Sequence, residues 1–88
     1  MRTIFKNSFL KEIRKVKDQK LKNDIADTIE LVEKVDSISK IPHIKKMQGY
    51  KTYYRIRIGN YRVGVRIERN TVTFSAFDHR KDIYKRFP

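Results

Sequence analysis

Tyr53-Tyr-Arg-Ile-Arg-Ile-Gly-Asn-Tyr-Arg-Val-Gly-Val-Arg-Ile67 decides the fold. Arginine alternates with apolar or aromatic residues on both sides of Gly59-Asn60, the pattern of two strands joined by a two-residue turn. Pairing Ile58 with Tyr61 across that turn sets Ile56 opposite Val63, Arg57 opposite Arg62 and Arg55 opposite Gly64. Because side chains alternate across a strand, one face of this hairpin is apolar. The other gathers Arg55, Arg57 and Arg62, and like charges directly opposite each other cost stability unless a counter-charge is present. Such a face suits an anion, and a phosphate backbone fits it best.

After a turn at Arg69-Asn70, Thr71–Phe77 reads as a third strand. A two-residue turn there pairs Ile67 with Val72, Val65 with Phe74 and Val63 with Ala76, all apolar. On the opposite face Arg66, Gly64 and Arg62 then meet Thr73, Ser75 and Phe77. The two registers agree on which face is greasy, so residues 53–77 form a three-stranded meander. Upstream, Arg2–Lys6 alternates briefly as a first strand. From Asn7 or Ser8, either one a suitable N-cap, Phe9, Leu10, Ile13 and Val16 recur at helical spacing. Asp18-Gln-Lys interrupts that stripe. A second follows through Leu21, Ile25, Thr28, Ile29, Val32 and Val35 on one face. The fold class is therefore α+β: a small, mainly antiparallel sheet, with the N-terminal strand added to the meander, packed against an N-terminal two-helix hairpin. Asp36–Gly49 is read as a connector, because Pro42 opposes a strand, with Ile38, Ile41, Ile44 and Met47 pinning it down as turns or a short helical piece.

With 88 residues the chain is expected to be a single domain, residues 1–88. Its 22 Lys+Arg against 10 Asp+Glu leave a formal charge of +12, well beyond what solubility requires, which implies an anionic partner. No apolar run approaches the length of a membrane span, so no membrane partner is expected. Cysteine is absent, which excludes disulfide scaffolds, thiolate metal sites and cysteine nucleophiles. The start of the chain has no apolar core of a secretion signal, so the expected compartment is the cytoplasm.

By strand parity His79 continues the face of Thr73, Ser75 and Phe77, so Arg55, Arg57, Arg62, Arg66, His79 and Arg80 are expected to converge there, with Tyr84 reaching back from the terminal turn. Tyr53 and Phe77 interleave rings with the guanidinium groups, and Lys51 adds charge at the entry to the hairpin. Cations for phosphates and rings for bases suit a single RNA strand. Cleavage of RNA by its own 2′-hydroxyl needs a proton acceptor, positive charge for the phosphorane oxygens and stabilisation of the leaving 5′-oxygen. Arginine suits the second task and is a poor proton acceptor. The proton transfers fall to His79 and Tyr84 jointly. The sequence shows no metal-ligand cluster, and neither metal nor other cofactor is expected. The simpler reading of such a face is a solvated or merely RNA-binding surface. His79 bonding a turn, Tyr84 packing the terminal segment and His43 as an inert loop residue are the matching plain readings.

The run Lys45-Lys-Met-Gln-Gly49, the hairpin YYRIRIGNYRVGVRIE and the late FDHRKDIY together resemble the RelE/ParE superfamily of type II toxins over nearly the whole chain. The resemblance implies a cytoplasmic toxin held silent by a cognate acidic antitoxin, and oligomeric only through that complex. RelE-like members cleave mRNA on the ribosome, whereas ParE-like members poison DNA gyrase. The positions that carry over, Arg55, Arg57, Arg62, Arg80 and Tyr84, favour the RelE-like branch, with His79 in a region where some relatives use a histidine. A gyrase inhibitor without nuclease chemistry and a non-catalytic RNA-binding domain are the alternatives.

Overall fold

The computed structural model describes residues 1–88. A short strand, β1 (Arg2–Phe5), leads into helices α1 (Asn7–Arg14) and α2 (Gln19–Lys34). A turn of 3-10 helix (Ile38–Lys40) precedes β2 (Ile44–Lys46), β3 (Tyr53–Ile58), β4 (Tyr61–Glu68), β5 (Thr71–His79) and the short α3 (Ile83–Arg86). The five strands form one sheet in the order β1-β5-β4-β3-β2. Only the β1–β5 pair is parallel; the others are antiparallel. No helix is long and apolar enough to cross a membrane.

Helices α1 and α2 cover one face of the sheet. Phe9, Ile25 and Val32 from the helices pack with Ile56, Ile58, Val63, Val65, Ile67, Val72 and Phe74 from the strands, all in one buried cluster. The interruption at Asp18 is the start of α2: its carboxylate accepts from the Lys20 and Leu21 backbone N–H groups at 2.9 and 3.4 Å, the stabilising role of an N-cap. At α1 the expectation differs from the structure. Lys6 occupies the cap position without a side-chain bond, and the Ser8 hydroxyl instead donates to the Ser75 carbonyl of β5 at 2.8 Å.

The segment before the hairpin also holds more than turns. Ile44–Lys46 pairs with β3 as an edge strand, Ile44 opposite Ile56. Pro42 opposes a strand only where its own N–H would be needed, and it lies two residues upstream of β2, where the missing N–H removes nothing from the ladder. Between them His43 takes a left-handed φ of 62° that turns the chain into the edge. The 3-10 turn, buried Ile41 and buried Met47 pin the segment as expected.

The β3–β4 register is the expected one throughout, from Ile58↔Tyr61 to Tyr53↔Arg66. Gly59 carries a positive φ of 58° and Asn60 does not, the pattern of a type II′ turn. Between β4 and β5 the expected register holds for Ile67↔Val72, Arg66↔Thr73 and Val65↔Phe74, then shifts by one residue. Ser75 is the extra residue of a β-bulge, so Gly64 meets Ala76, Val63 meets Phe77, Arg62 meets Asp78 and Tyr61 meets His79. Past the bulge, every β5 side chain has changed face.

Candidate nucleic-acid interface

The face away from α1 and α2 carries the alternate residues of β3 and β4: Tyr53, Arg55 and Arg57, then Arg62, Gly64 and Arg66. Across it lies α3. Its Ile83, fully buried, and Phe87, 5 % exposed, form a second small core with Met47, beside Tyr53 and Ala76. This docking needs Gly64. A Cβ on Gly64 would lie 2.5–2.9 Å from three ring carbons of Phe87, closer than non-bonded carbons approach. The Phe87 ring therefore occupies the space that any other residue would fill at position 64. Its edge-on contact with Tyr53, centroids 5.3 Å apart, fixes it from the side.

Arg86 fastens the same turn to two other elements. Its Nη1 donates to Glu12 Oε1 of α1 at 3.2 Å, and its Nε lies 2.8 Å from Asp78 Oδ2 of β5. The latter is a charge contact rather than an aligned hydrogen bond, which leaves that Asp78 oxygen without a donor aimed at it. Burial alone would raise the Glu12 pKa, but Lys15 and Arg86 outweigh it and hold the carboxyl below its ordinary value.

So fixed, α3 presents Tyr84. Its ring sits with the Arg55 guanidinium carbon 5.7 Å from its centre, a cation–π distance, and the side chain is more than half exposed. Arg62, directly opposite Arg57, is folded against the hairpin turn, Nη1 donating to the Gly59 and Tyr61 carbonyls at 2.9 Å each. Its buried Nε has no partner. Burial lowers the Arg62 pKa first; Arg55, Arg57 and, more weakly, Arg80 lower it further, and Tyr84 works the other way. Arginine stays protonated regardless. What matters is the cause: Arg62 feels three other guanidinium groups, and the Asp78 carboxylate of the paired strand is held by Arg86, so an anion entering beside the arginines relieves their mutual repulsion.

The structure thus brings together Arg55, Arg57, Arg62, Arg80 and Tyr84. Arg57 leans to one side, its Nη2 3.1 Å from His43 Nδ1. Reading His43 as inert missed this contact because the β2 edge beside β3 was not anticipated. Arg66 lies further along β4, paired with Glu68 at 2.8 Å. Lys51 is exposed in the turn before β3, outside the cluster.

Two expected members of the basic face lie elsewhere. The bulge at Ser75 turns Phe77 into the main core, 4 % exposed and stacked on Tyr61 at 5.2 Å. The same shift carries His79 to that side. Its ring meets Tyr61 edge-on at 5.5 Å, and its Nδ1 accepts the Lys81 N–H at 3.2 Å. Asp78 takes the position facing Arg62 instead. Asp78, Arg86, Glu12 and Gly64 escaped the sequence reading; of these only Gly64, a glycine in mid-strand, carried a visible signal.

A family profile described as "ParE toxin of type II toxin-antitoxin system, parDE" matches residues 3–84. The chain is 37% identical over 89 aligned positions to Toxin RelE3 of Methanocaldococcus jannaschii, with 100% of both covered. It superposes with a TM-score of 0.81 and 36% identity on a chain of the RelB-RelE antitoxin-toxin complex from Methanococcus jannaschii, covering 97% of this chain and 99% of that one. The archaeal RelE-RelB complex from Pyrococcus horikoshii OT3 gives a TM-score of 0.71 at 16% identity, over 90% and 93% of the two chains, a likeness of fold. With the basic sheet face and the α3 turn already in view, these matches lead to one conclusion: the chain belongs to the RelE/ParE superfamily of type II toxins.

Proposed function

We propose that this toxin is an endoribonuclease that cuts mRNA, with the ribosome orienting the substrate. The observation that carries the reading is the gathering of Arg55, Arg57, Arg62 and Arg80 charge around an exposed tyrosine, Tyr84, on the face covered by α3. The 2′-oxygen attacks the adjacent phosphorus, a 2′-O–P bond forms and the P–O5′ bond breaks. The products are a 2′,3′-cyclic phosphate and a free 5′-hydroxyl. One proton leaves the 2′-hydroxyl and one reaches the 5′-oxygen, so no net proton is consumed and no external reactant is needed. The guanidinium groups stabilise the extra charge on the phosphorane oxygens. The Tyr84 hydroxyl is the group of this chain best placed to relay a proton; His79, on the other face, is not part of the site. The cluster has charge but no strong base, so positioning by the ribosome supplies much of the rate. An antitoxin with an acidic segment is the partner that would neutralise the face, in keeping with the RelB complexes of the relatives. The site of action is the cytoplasm, where its substrate is.

A second reading has its own support, because the matching family profile is described as a ParE toxin. In that reading the chain inhibits DNA gyrase as a binding module. Primer extension on cellular transcripts after induction, beside an assay for stalled gyrase–DNA complexes, separates the two. New transcript ends, lost in Arg62→Ala and Tyr84→Phe while antitoxin binding persists, are expected. Removal of one charged donor of this type lowers rate by roughly 10²–10³-fold. Stalled gyrase with intact transcripts, or cleavage unchanged in both variants, would sink the nuclease reading.

A further inference from the structure

Phe87 divides the basic face in two. On one side lie Arg57, Arg62 and Tyr84; on the other, Tyr53, Arg66 and Thr73 form a row across β3, β4 and β5. Tyr53 and Arg66 are four residues along their strands from Arg57 and Arg62, which is about 13 Å at about 3.3 Å per residue. On that far side is a cavity of about 250 Å³ whose lining includes Lys6, Tyr53, Arg66, Thr73, Arg86 and Phe87. No aspartate or glutamate lines it. Two of its cations are already engaged, Arg66 with Glu68 and Arg86 with Glu12 and Asp78. Lys6 makes no ion pair and is exposed at the rim.

We propose that this cavity is a nucleotide subsite, which receives one nucleotide of the RNA strand whose scissile phosphate lies in the Arg55–Arg62–Arg80 cluster. The inference rests on the nuclease reading for its connection to cleavage, but not for the binding itself. A planar base finds an aromatic ring to stack on, Tyr53 or Phe87, and the hydroxyls of Thr73 and Ser75, and its phosphate finds the uncommitted Lys6. The separation of the two seats matches a few nucleotides of extended strand passing over Phe87. A simple inorganic anion would leave the aromatic rings of the lining unused.

The test titrates the full-length toxin with adenosine and uridine 5′-monophosphates and, separately, inorganic phosphate, followed by two-dimensional NMR. The nucleotides are expected to shift the signals of Lys6, Tyr53, Thr73 and Ser75 at concentrations where inorganic phosphate does not. Thr73→Phe, which fills the cavity, should abolish those shifts and raise KM for a short RNA about tenfold, with kcat within about twofold of the parent. Lys6→Gln, which leaves the cavity's shape alone, should raise KM severalfold and lower the salt dependence of binding by about one phosphate contact. Equal shifts with inorganic phosphate, shifts confined to Arg55, Arg62 and Tyr84, or an unchanged KM in both variants would each overturn the subsite. Nucleotide shifts at Thr73 in a toxin that cuts no RNA would support the subsite and overturn the nuclease reading instead.

Discussion

Gly64→Ala is a one-methyl change whose sign should depend on a residue far along the chain. In the parent, the new Cβ would stand 2.5 Å from Phe87 Cδ2 and 2.6 Å from Cγ, so the ring has to move. Displacing a packed group in this way costs roughly 1–3 kcal/mol. Burial of the Phe87 and Ile83 side chains supplies roughly 1.5–3 kcal/mol each, an upper bound for an extended reference chain. The methyl therefore removes a large part of what holds α3 down. The main core lies on the opposite face, so the loss should appear as local opening. The Phe87 N–H donates to the Ile83 carbonyl at 2.9 Å, and its hydrogen exchange reports that opening. A loss of about 2 kcal/mol speeds exchange about 30-fold, at a factor of ten for about 1.4 kcal/mol. Growth arrest should fall in parallel, since Tyr84 rides on the same turn. In a Phe87→Ala background the obstacle is gone, and alanine should be better than glycine in mid-strand by roughly 0.5–1 kcal/mol. The double-mutant cycle thus predicts a reversal of sign. A Gly64→Ala toxin with unchanged Phe87 exchange and full growth arrest would refute the docking argument.

Glu12→Gln should flatten the acid sensitivity of the same turn. The Glu12 carboxyl titrates below its ordinary value of 4.5 when folded, because Lys15 and Arg86 outweigh the effect of burial. Its contribution is therefore complete above pH 4.5 and is lost as pH falls through the lower folded value, a loss that exchange at Phe87 between pH 6 and pH 3 (roughly the span of a carboxylate titration) should show only in the parent. His79→Gln should leave the pH profile of transcript cleavage unchanged, because its ring lies against Tyr61; a shifted profile would restore histidine to the site. Phe74→Ala removes a ring that is fully buried between Phe5 and Phe9, at centroid distances of 5.1 and 5.3 Å. It should cost roughly 3–5 kcal/mol. By thermal melting that corresponds to about 12 °C or more, at about 4–8 °C per kcal/mol for a domain of this size.

The arginine cluster was legible because it depends on one local quantity, the parity of residues around Gly59-Asn60, and that turn admits only one register. The pairing from Ile67 to Phe74 was legible for the same reason, with Arg69 and Asn70 both in left-handed conformations at the turn. Beyond Phe74 the register departs from the expected one at a single residue, Ser75. Ser75-Ala76 carries no glycine or proline to mark a bulge, and either parity offers the core an apolar partner, Ala76 or Phe77. The larger ring won the buried place, and it carried His79 with it. The Arg86 contacts to Glu12 and Asp78 were out of reach for a different reason. They join residues far apart in sequence through the path that α3 takes across the sheet, and no periodicity records such a path.

The order in which a ribosome makes this polypeptide bears on that path. Arg55, Arg57 and Arg62 emerge before Tyr84, Arg86 and Phe87 exist, and the keyhole above Gly64 stays empty until Phe87 has been added. A growing chain therefore displays its positive groove without the phenol that completes it. The groove is thus completed by the closing of one aromatic ring onto a glycine.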